Sequence, residues 1–223
     1  MKKSNREVFS DIYANGRWYR PPNPEERFGS GRGSHDEEVI LPYINTLIPL
    51  LTNNNIRNIV DLGCGDFWIM RHVLGALSDA GYNFFYTGID VVEDLINYNA
   101  ARFQHPNIKF ICMDAAEDES LPDGELLIIR QVLQHLSNDD IKKILSKTTN
   151  FKFVLITESI YDEIDAVPNI DKQADNQTRV HLKSGVYLEH APFNYKNIVH
   201  LLKVNGGVLE NVQNTIRSSL IIN

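Results

Sequence analysis

From Arg57 onward the chain alternates two kinds of stretch: short runs rich in β-branched and aromatic residues, and longer runs whose apolar positions recur at helical spacing. The short runs, at 58–62, 84–89, 108–113, 126–130 and 153–157, predict five strands. The longer runs predict helices over 67–80, 92–103 and about 138–148. Gly81 suits the residue just past the end of the first, and Pro106 stops the second. Such alternation dictates a parallel sheet with helices on both faces.

The rhythm then lapses. Residues 160–193 carry many charges, two prolines and no clear period, and a long irregular segment after the fifth strand is expected to be a substrate lid. A helix is predicted over 195–203, ended by Gly206-Gly207. Strands over 208–212 and 215–222 follow, joined by Gln213-Asn214 as an antiparallel hairpin. Ahead of the alternation, 5–14 predicts a short helix, 17–28 an irregular segment rich in Pro, Arg and aromatics, and 29–33 a flexible glycine loop. Ser34, with Glu37 three residues on, reads as a capping box opening a helix that runs to about Leu51 and is broken or bent near Pro42. Residues 1–55 are therefore expected to cap a core at 56–223 within one domain of 223 residues.

Composition narrows the class. Apolar residues at 43% and charged residues at 23% are near globular averages, so a packed core is expected. With 22 basic against 29 acidic residues, the net charge of -7 opposes a phosphate-tracking surface and makes a nucleic-acid partner unlikely. Cys64 and Cys112 lie in apolar stretches and read as reduced small hydrophobes. Met1 to Ser10 lacks the apolar core of a secretory signal, and no apolar run approaches the roughly 18 residues of a membrane span, so a reducing, cytoplasmic home is expected.

The strongest chemical signal is Val60-Asp61-Leu62-Gly63-Cys64-Gly65-Asp66, a strand entering a glycine turn and then a helix. Glycines there allow positive φ and close approach of backbone to a ligand. A dinucleotide fingerprint wants a third glycine where Trp68 stands, and no Gly-Lys-Ser/Thr of a P-loop follows. Asp61 and Asp66 would repel phosphate and suit a cation such as S-adenosylmethionine (SAM), whose sulfonium and amino groups are positive. Asp90 ends the second strand, where a carboxylate can accept from both hydroxyls of a ribose; Asp114 ends the third, within reach of an adenine amino group.

These residues resemble the class I SAM-dependent methyltransferases over about 56–223. Asp61-Leu62-Gly63-Cys64-Gly65 looks like their first motif, Asp90 with Val91 beside it like the ribose-binding position, and Asp114 with Ala115 like the adenine side. The resemblance implies a Rossmann-like doubly wound α/β sheet of order 3-2-1-4-5-7-6 with strand seven antiparallel. One departure is Phe67, where many members carry a third glycine.

The acceptor should lie beyond the fourth strand, at Ile129-Arg130-Gln131-Val132-Leu133-Gln134-His135-Leu136. This segment resembles that of small-molecule methyltransferases and lacks the Asn/Asp-Pro-Pro-aromatic signature of amino-group methylases. His135 is the candidate general base, set against a plain packing or capping role. Arg130 and Gln131 are candidates to orient cofactor or substrate, with a structural ion pair as the alternative for Arg130. Arg179 and His181, in the expected lid, suit an anionic or sugar-like acceptor, and Tyr19 beside Trp18 is a candidate to close the site from the N-terminal side. No compact metal-ligand spacing appears. The glycine loop at 29–33 and Val132-Leu133-Gln134-His135-Leu136-Ser137 also resemble bacterial enzymes of surface-polysaccharide modification, which implies a sugar or phosphorylated small molecule as acceptor. A SAM-binding partner without catalysis, or an RNA or protein methyltransferase, stay open as alternatives.

Overall fold

A computed structural model describes every residue except 1, 2, 22, 24 and 210. The first two residues of the Met1 to Ser10 stretch, two prolines of the 17–28 segment and one residue of the expected 208–212 strand lie outside the described residues. Seven strands form one sheet: β1 (Asn58–Leu62), β2 (Phe85–Asp90), β3 (Ile108–Cys112), β4 (Leu126–Arg130), β5 (Phe153–Ile160), β6 (Ile198–Leu209) and β7 (Val212–Ile222). Their order is β3-β2-β1-β4-β5-β7-β6. The first five pair in parallel, and β7 runs antiparallel to both β5 and β6. This is the doubly wound arrangement expected from the alternation.

The central strands are buried at nearly every position because helices cover both faces. Successive side chains point to opposite faces. Val60, Leu62, Leu127 and Ile129 enter one core, and Ile59, Leu126 and Ile128 enter the other. Helices α3 (Trp68–Asp79), α4 (Glu93–Arg102) and α5 (Asn138–Ser146) are the crossover helices. At the N-terminal side, α1 (Asn5–Ala14) starts with a complete capping box between Ser4 and Glu7. Among the described residues no helix is long and apolar enough to cross a membrane.

Three local expectations need correction. The predicted helix over 195–203 is the start of β6. A β-bulge between His200 and Leu202 breaks the strand's two-residue period, so that Leu201 and Leu202 are both half-buried, and this doubling imitates helical spacing. Gly206-Gly207 lies in a second irregularity, between Asn205 and Val208, instead of ending a helix. The hairpin reverses between Leu209 and Val212, earlier than Gln213-Asn214.

The helix expected to start from Ser34 is α2 (Glu37–Asn53), with Asp36 as its N-cap and Ser34 in a short 3-10 turn. The Ser34 hydroxyl accepts from Arg130 Nη1 at 3.3 Å, and this long-range bond displaces the local cap. The helix also runs continuously through Pro42 and Pro49.

Candidate active site

The parallel strands deliver their carboxyl ends to one edge of the sheet, where open α/β folds take ligands. A cavity of about 380 Å³ lies there. Asp61, Gly63, Cys64, Gly65, Asp90, Val91, Asp114, Ala115, Arg130 and Gln131 all line it.

The turn after β1 is bent by Gly63 at φ 74° and Gly65 at φ 54°. Gly63 and Cys64 both donate to Ile89 O, at 2.8 and 3.0 Å, which ties the turn to β2. A Cβ on Gly63 would stand 2.3 Å from Val132 Cγ2, so the turn and the end of β4 can approach only over a glycine. Phe67 also adopts the left-handed region, at φ 62°. Its ring packs against Tyr86, Phe103 and Phe110 at centroid distances of 5.0–5.3 Å. Aromatic packing thus offsets a conformation that costs about 1–2 kcal/mol for a non-glycine residue.

Acidic side chains converge on the turn. Asp90 Oδ2 accepts from Gly65 N at 3.2 Å and its Oδ1 from Val92 N at 3.1 Å. Burial pushes Asp90 up to about 6, against the pull of these backbone donors. Asp61 accepts from the Tyr86 hydroxyl at 2.6 Å and is likewise pushed by burial to about 6. Asp66 Oδ2 accepts from Ser30 N at 2.9 Å and lies 2.8 Å from His35 Nε2. Asp66 N in turn donates to Ser30 Oγ at 2.7 Å. Asp114 accepts from Ala116 N at 3.0 Å and still lines the cavity.

The wall beyond β4 is the turn at 131–136, held from two sides. The buried Glu158 carboxylate accepts from the backbone N–H groups of Val132, Leu133 and Gln134, at 3.1, 2.9 and 3.0 Å. Arg179 takes the carbonyls: Nη1 donates to Leu133 O at 2.9 Å and Nη2 to Leu136 O at 2.6 Å. Its Nε donates to Ile170 O at 3.0 Å. Burial raises Glu158 to about 7 and lowers Arg179 to about 10.

This geometry corrects the substrate-side expectations. Arg179 is fully buried and holds the chain, so it does not meet an acceptor. His181 and Tyr19 do not line the cavity either. Tyr19 stacks on His35 at 4.7 Å, one step behind Asp66. His135 does line the cavity, but as a fixed neutral ring. Its Nδ1 lies 3.1 Å from Gln177 O and its Nε2 3.1 Å from Gln134 Nε2, which makes Nδ1 the protonated nitrogen and Nε2 an acceptor already used. Burial drives the imidazole down to about 3, so at neutral pH it has little appetite for a proton. It is therefore a poor general base.

Residues 59–151 match the family described as "Methyltransferase domain". That stretch, from β1 through α5, is similar to a methyltransferase domain, and it lies in a sheet of the order β3-β2-β1-β4-β5-β7-β6. Over 92 residues it is 30% identical to the malonyl-[acyl-carrier protein] O-methyltransferase of Acetivibrio thermocellus, an alignment covering 40% of this chain and 31% of that protein. The chain therefore spans about a third of the length of the curated relative it matches. Human N-acetylserotonin methyltransferase, solved with SAM, shares 14% identity at a TM-score of 0.59, over 99% of this chain and 60% of that one. The 1,6-didemethyltoxoflavin-N1-methyltransferase of Burkholderia thailandensis, solved with S-adenosylhomocysteine, shares 14% identity at a TM-score of 0.56, over 98% and 87%. At such identities these structures share the fold.

Several residues at the candidate site carry no signal in the sequence. Tyr13 and Ser30 cross the cavity mouth, with Tyr13 Oη and Ser30 Oγ 2.9 Å apart. Asn99 donates to Gly65 O at 2.7 Å from beneath the turn. Glu158 looked like one more strand residue. Their roles depend on which distant segments meet, which no local pattern encodes.

Proposed function

We propose that this protein transfers a methyl group from SAM to an oxygen or nitrogen of a small polar acceptor. The observation that carries the reading is the Asp90 carboxylate, buried at the tip of β2 and lining the cavity beside a glycine turn. A buried carboxylate that accepts only from backbone amides, those of Gly65 and Val92 and the neighbouring Val91, keeps lone-pair capacity for ligand hydroxyls. Asp114 and Ala115 would take the adenine end, and Asp61 and Asp66 favour a cation at the turn while disfavouring phosphate. The donor set thus fits a positively charged nucleoside. SAM supplies a methyl group already activated on a sulfonium sulfur.

The chain's own work is to position and to exclude water. Phe9, Tyr13 and Trp18 of the N-terminal cap line the cavity. Trp18 Nε1 donates to Asn176 O at 3.0 Å, so this cap and the 160–193 segment meet over the site, consistent with a lid within a single domain. The Trp18 and His135 rings lie 5.0 Å apart. With His135 neutral and engaged, the acceptor should either need no prior deprotonation or lose its proton to water.

The test is incubation of the full chain with SAM and a fractionated metabolite extract, reading S-adenosylhomocysteine. Formation that depends on one fraction is expected. Tight SAM binding without turnover on any fraction would overturn the enzymatic reading in favour of a non-catalytic SAM-binding partner.

A further inference from the structure

The cavity continues past the region that the nucleoside needs. Adjacent strands lie about 4.8 Å apart. In the order β2-β1-β4-β5-β7, Asp90 on β2 is therefore about 10 Å to one side of β4, and Asn214 on β7 about 10 Å to the other. Arg130 and Asn214 line this second half, and Trp68, at the start of α3, lines the same cavity.

Each of these three carries a buried polar atom with no described partner: Trp68 Nε1, Arg130 Nε and Asn214 Oδ1. Unpaired buried polar atoms are rare and cost about 1–3 kcal/mol each. Three around one cavity point to a ligand that satisfies them. Arg130 is the most telling. Its guanidinium is oriented by Gly33 O at 2.8 Å, Ser34 Oγ at 3.3 Å and Gln131 Oε1 at 3.3 Å, and the Tyr43 ring lies 5.1 Å from its Cζ. These hydrogen-bond partners are all neutral. The cation is held in place without a bonded anion.

We infer that the methyl acceptor carries a carboxylate, and that Arg130, with Trp68 Nε1 beside the same cavity, receives it. A monoanion is favoured over a phosphate because Asp61 and Asp66 already line the site and Glu158 also acts on the guanidinium: one cation among these acidic groups disfavours a dianion. Asn214 Oδ1, at the far end, asks for a hydroxyl or amine on the same molecule, so a hydroxy acid or sugar acid has the matching chemistry. The carboxylate is a recognition handle, and the methylated atom is a separate position. The inference rests on the methyltransferase reading above.

The experiment uses the full chain saturated with S-adenosylhomocysteine, titrated calorimetrically with a panel of small aliphatic, aromatic and sugar carboxylic acids. Each acid is paired with its amide, and where available with the corresponding phosphate. At least one acid should bind tenfold or more tightly than its amide and its phosphate. Arg130→Gln should abolish that preference, Arg130→Lys should restore part of it, and Trp68→Phe should reduce it severalfold. S-adenosylhomocysteine affinity serves as the fold check and should stay within about threefold in each variant. Acids and amides binding alike, no acid binding, or a preference for phosphates would overturn the inference. So would a tenfold loss of S-adenosylhomocysteine affinity in Arg130→Gln together with unchanged affinity for 5′-methylthioadenosine, which lacks the amino-acid part, because Arg130 would then hold the cofactor's own carboxylate. If the wild-type chain does not bind S-adenosylhomocysteine at all, the methyltransferase reading itself fails, a result distinct from the others.

Discussion

The two halves of the cavity are built by different means. On the β1–β3 side, single residues at successive strand tips do the work: a glycine turn, Asp90 and Asp114, each set by its place in one local strand–helix unit. On the β4–β7 side, the wall at 131–136 is clamped at its amides by Glu158 on β5 and at its carbonyls by Arg179 from the irregular segment. The half proposed for the cofactor is built mainly from repeated strand tips; the half proposed for the acceptor is assembled from distant segments. A fold can thus keep one chemistry fixed while its other wall is rebuilt around a different acceptor.

The sharpest way to break this contrast is to remove a clamp. Arg179→Met leaves the carbonyls of Leu133, Leu136 and Ile170 without their donors and should cost about 3 kcal/mol or more of stability in urea unfolding. S-adenosylhomocysteine affinity of the remaining folded protein should change little. If affinity falls in step with stability, the halves are not separate.

Asp90→Ala should do the reverse. S-adenosylhomocysteine affinity should weaken by about 1–3 kcal/mol as ligand hydroxyls lose their acceptor. Unchanged affinity in calorimetry would take Asp90 out of the site.

The pH dependence sharpens the same point. Asp90 and Asp61 sit near 6, above the ordinary carboxylate range. Their folded forms prefer the proton, so their contribution to stability is present below about pH 4 and is lost as pH rises through 6. Ligand hydroxyls prefer ionised Asp90. Affinity for S-adenosylhomocysteine should therefore be flat above pH 6 and fall about tenfold by pH 5, with proton release on binding near pH 6. A flat profile from pH 5 to 8 would contradict this.

The smallest effect is expected at His135. With the ring neutral and both nitrogens engaged, His135→Gln should keep turnover within about tenfold, and the rate profile should show no limb near 6.5. General base catalysis is worth about 10²–10⁴-fold, so a loss of that size, rescued at high pH, would restore His135 as the base.

The same divide governs what the sequence made legible. The five parallel strands, the crossover helices and the placing of the glycine turn, Asp90 and Asp114 at the cavity are legible from alternation and from Asp or Gly at strand tips, because neighbouring residues largely determine those features. The β4–β7 side is less legible wherever a distant partner overrides a local signal. Ser34 lost its capping role to Arg130, 96 residues away. Leu201 and Leu202 looked helical because a bulge against β7 turned both inward. Arg179 read as a substrate cation because nothing near it in sequence announces the three carbonyls it holds. Phe67 shows the opposite case: the backbone bends as a glycine would, and rings from β2, β3 and the end of α4 hold it there.

The central claim is that Asp90 and the Gly63–Gly65 turn hold the nucleoside of SAM. A crystal structure of the full chain with S-adenosylhomocysteine tests it most directly. Both ribose hydroxyls should lie within hydrogen-bonding distance, about 2.5–3.0 Å, of the Asp90 carboxylate, with the sulfur directed toward Arg130 and Gln131. Ligand bound elsewhere, or a turn left empty at saturating ligand, would contradict it.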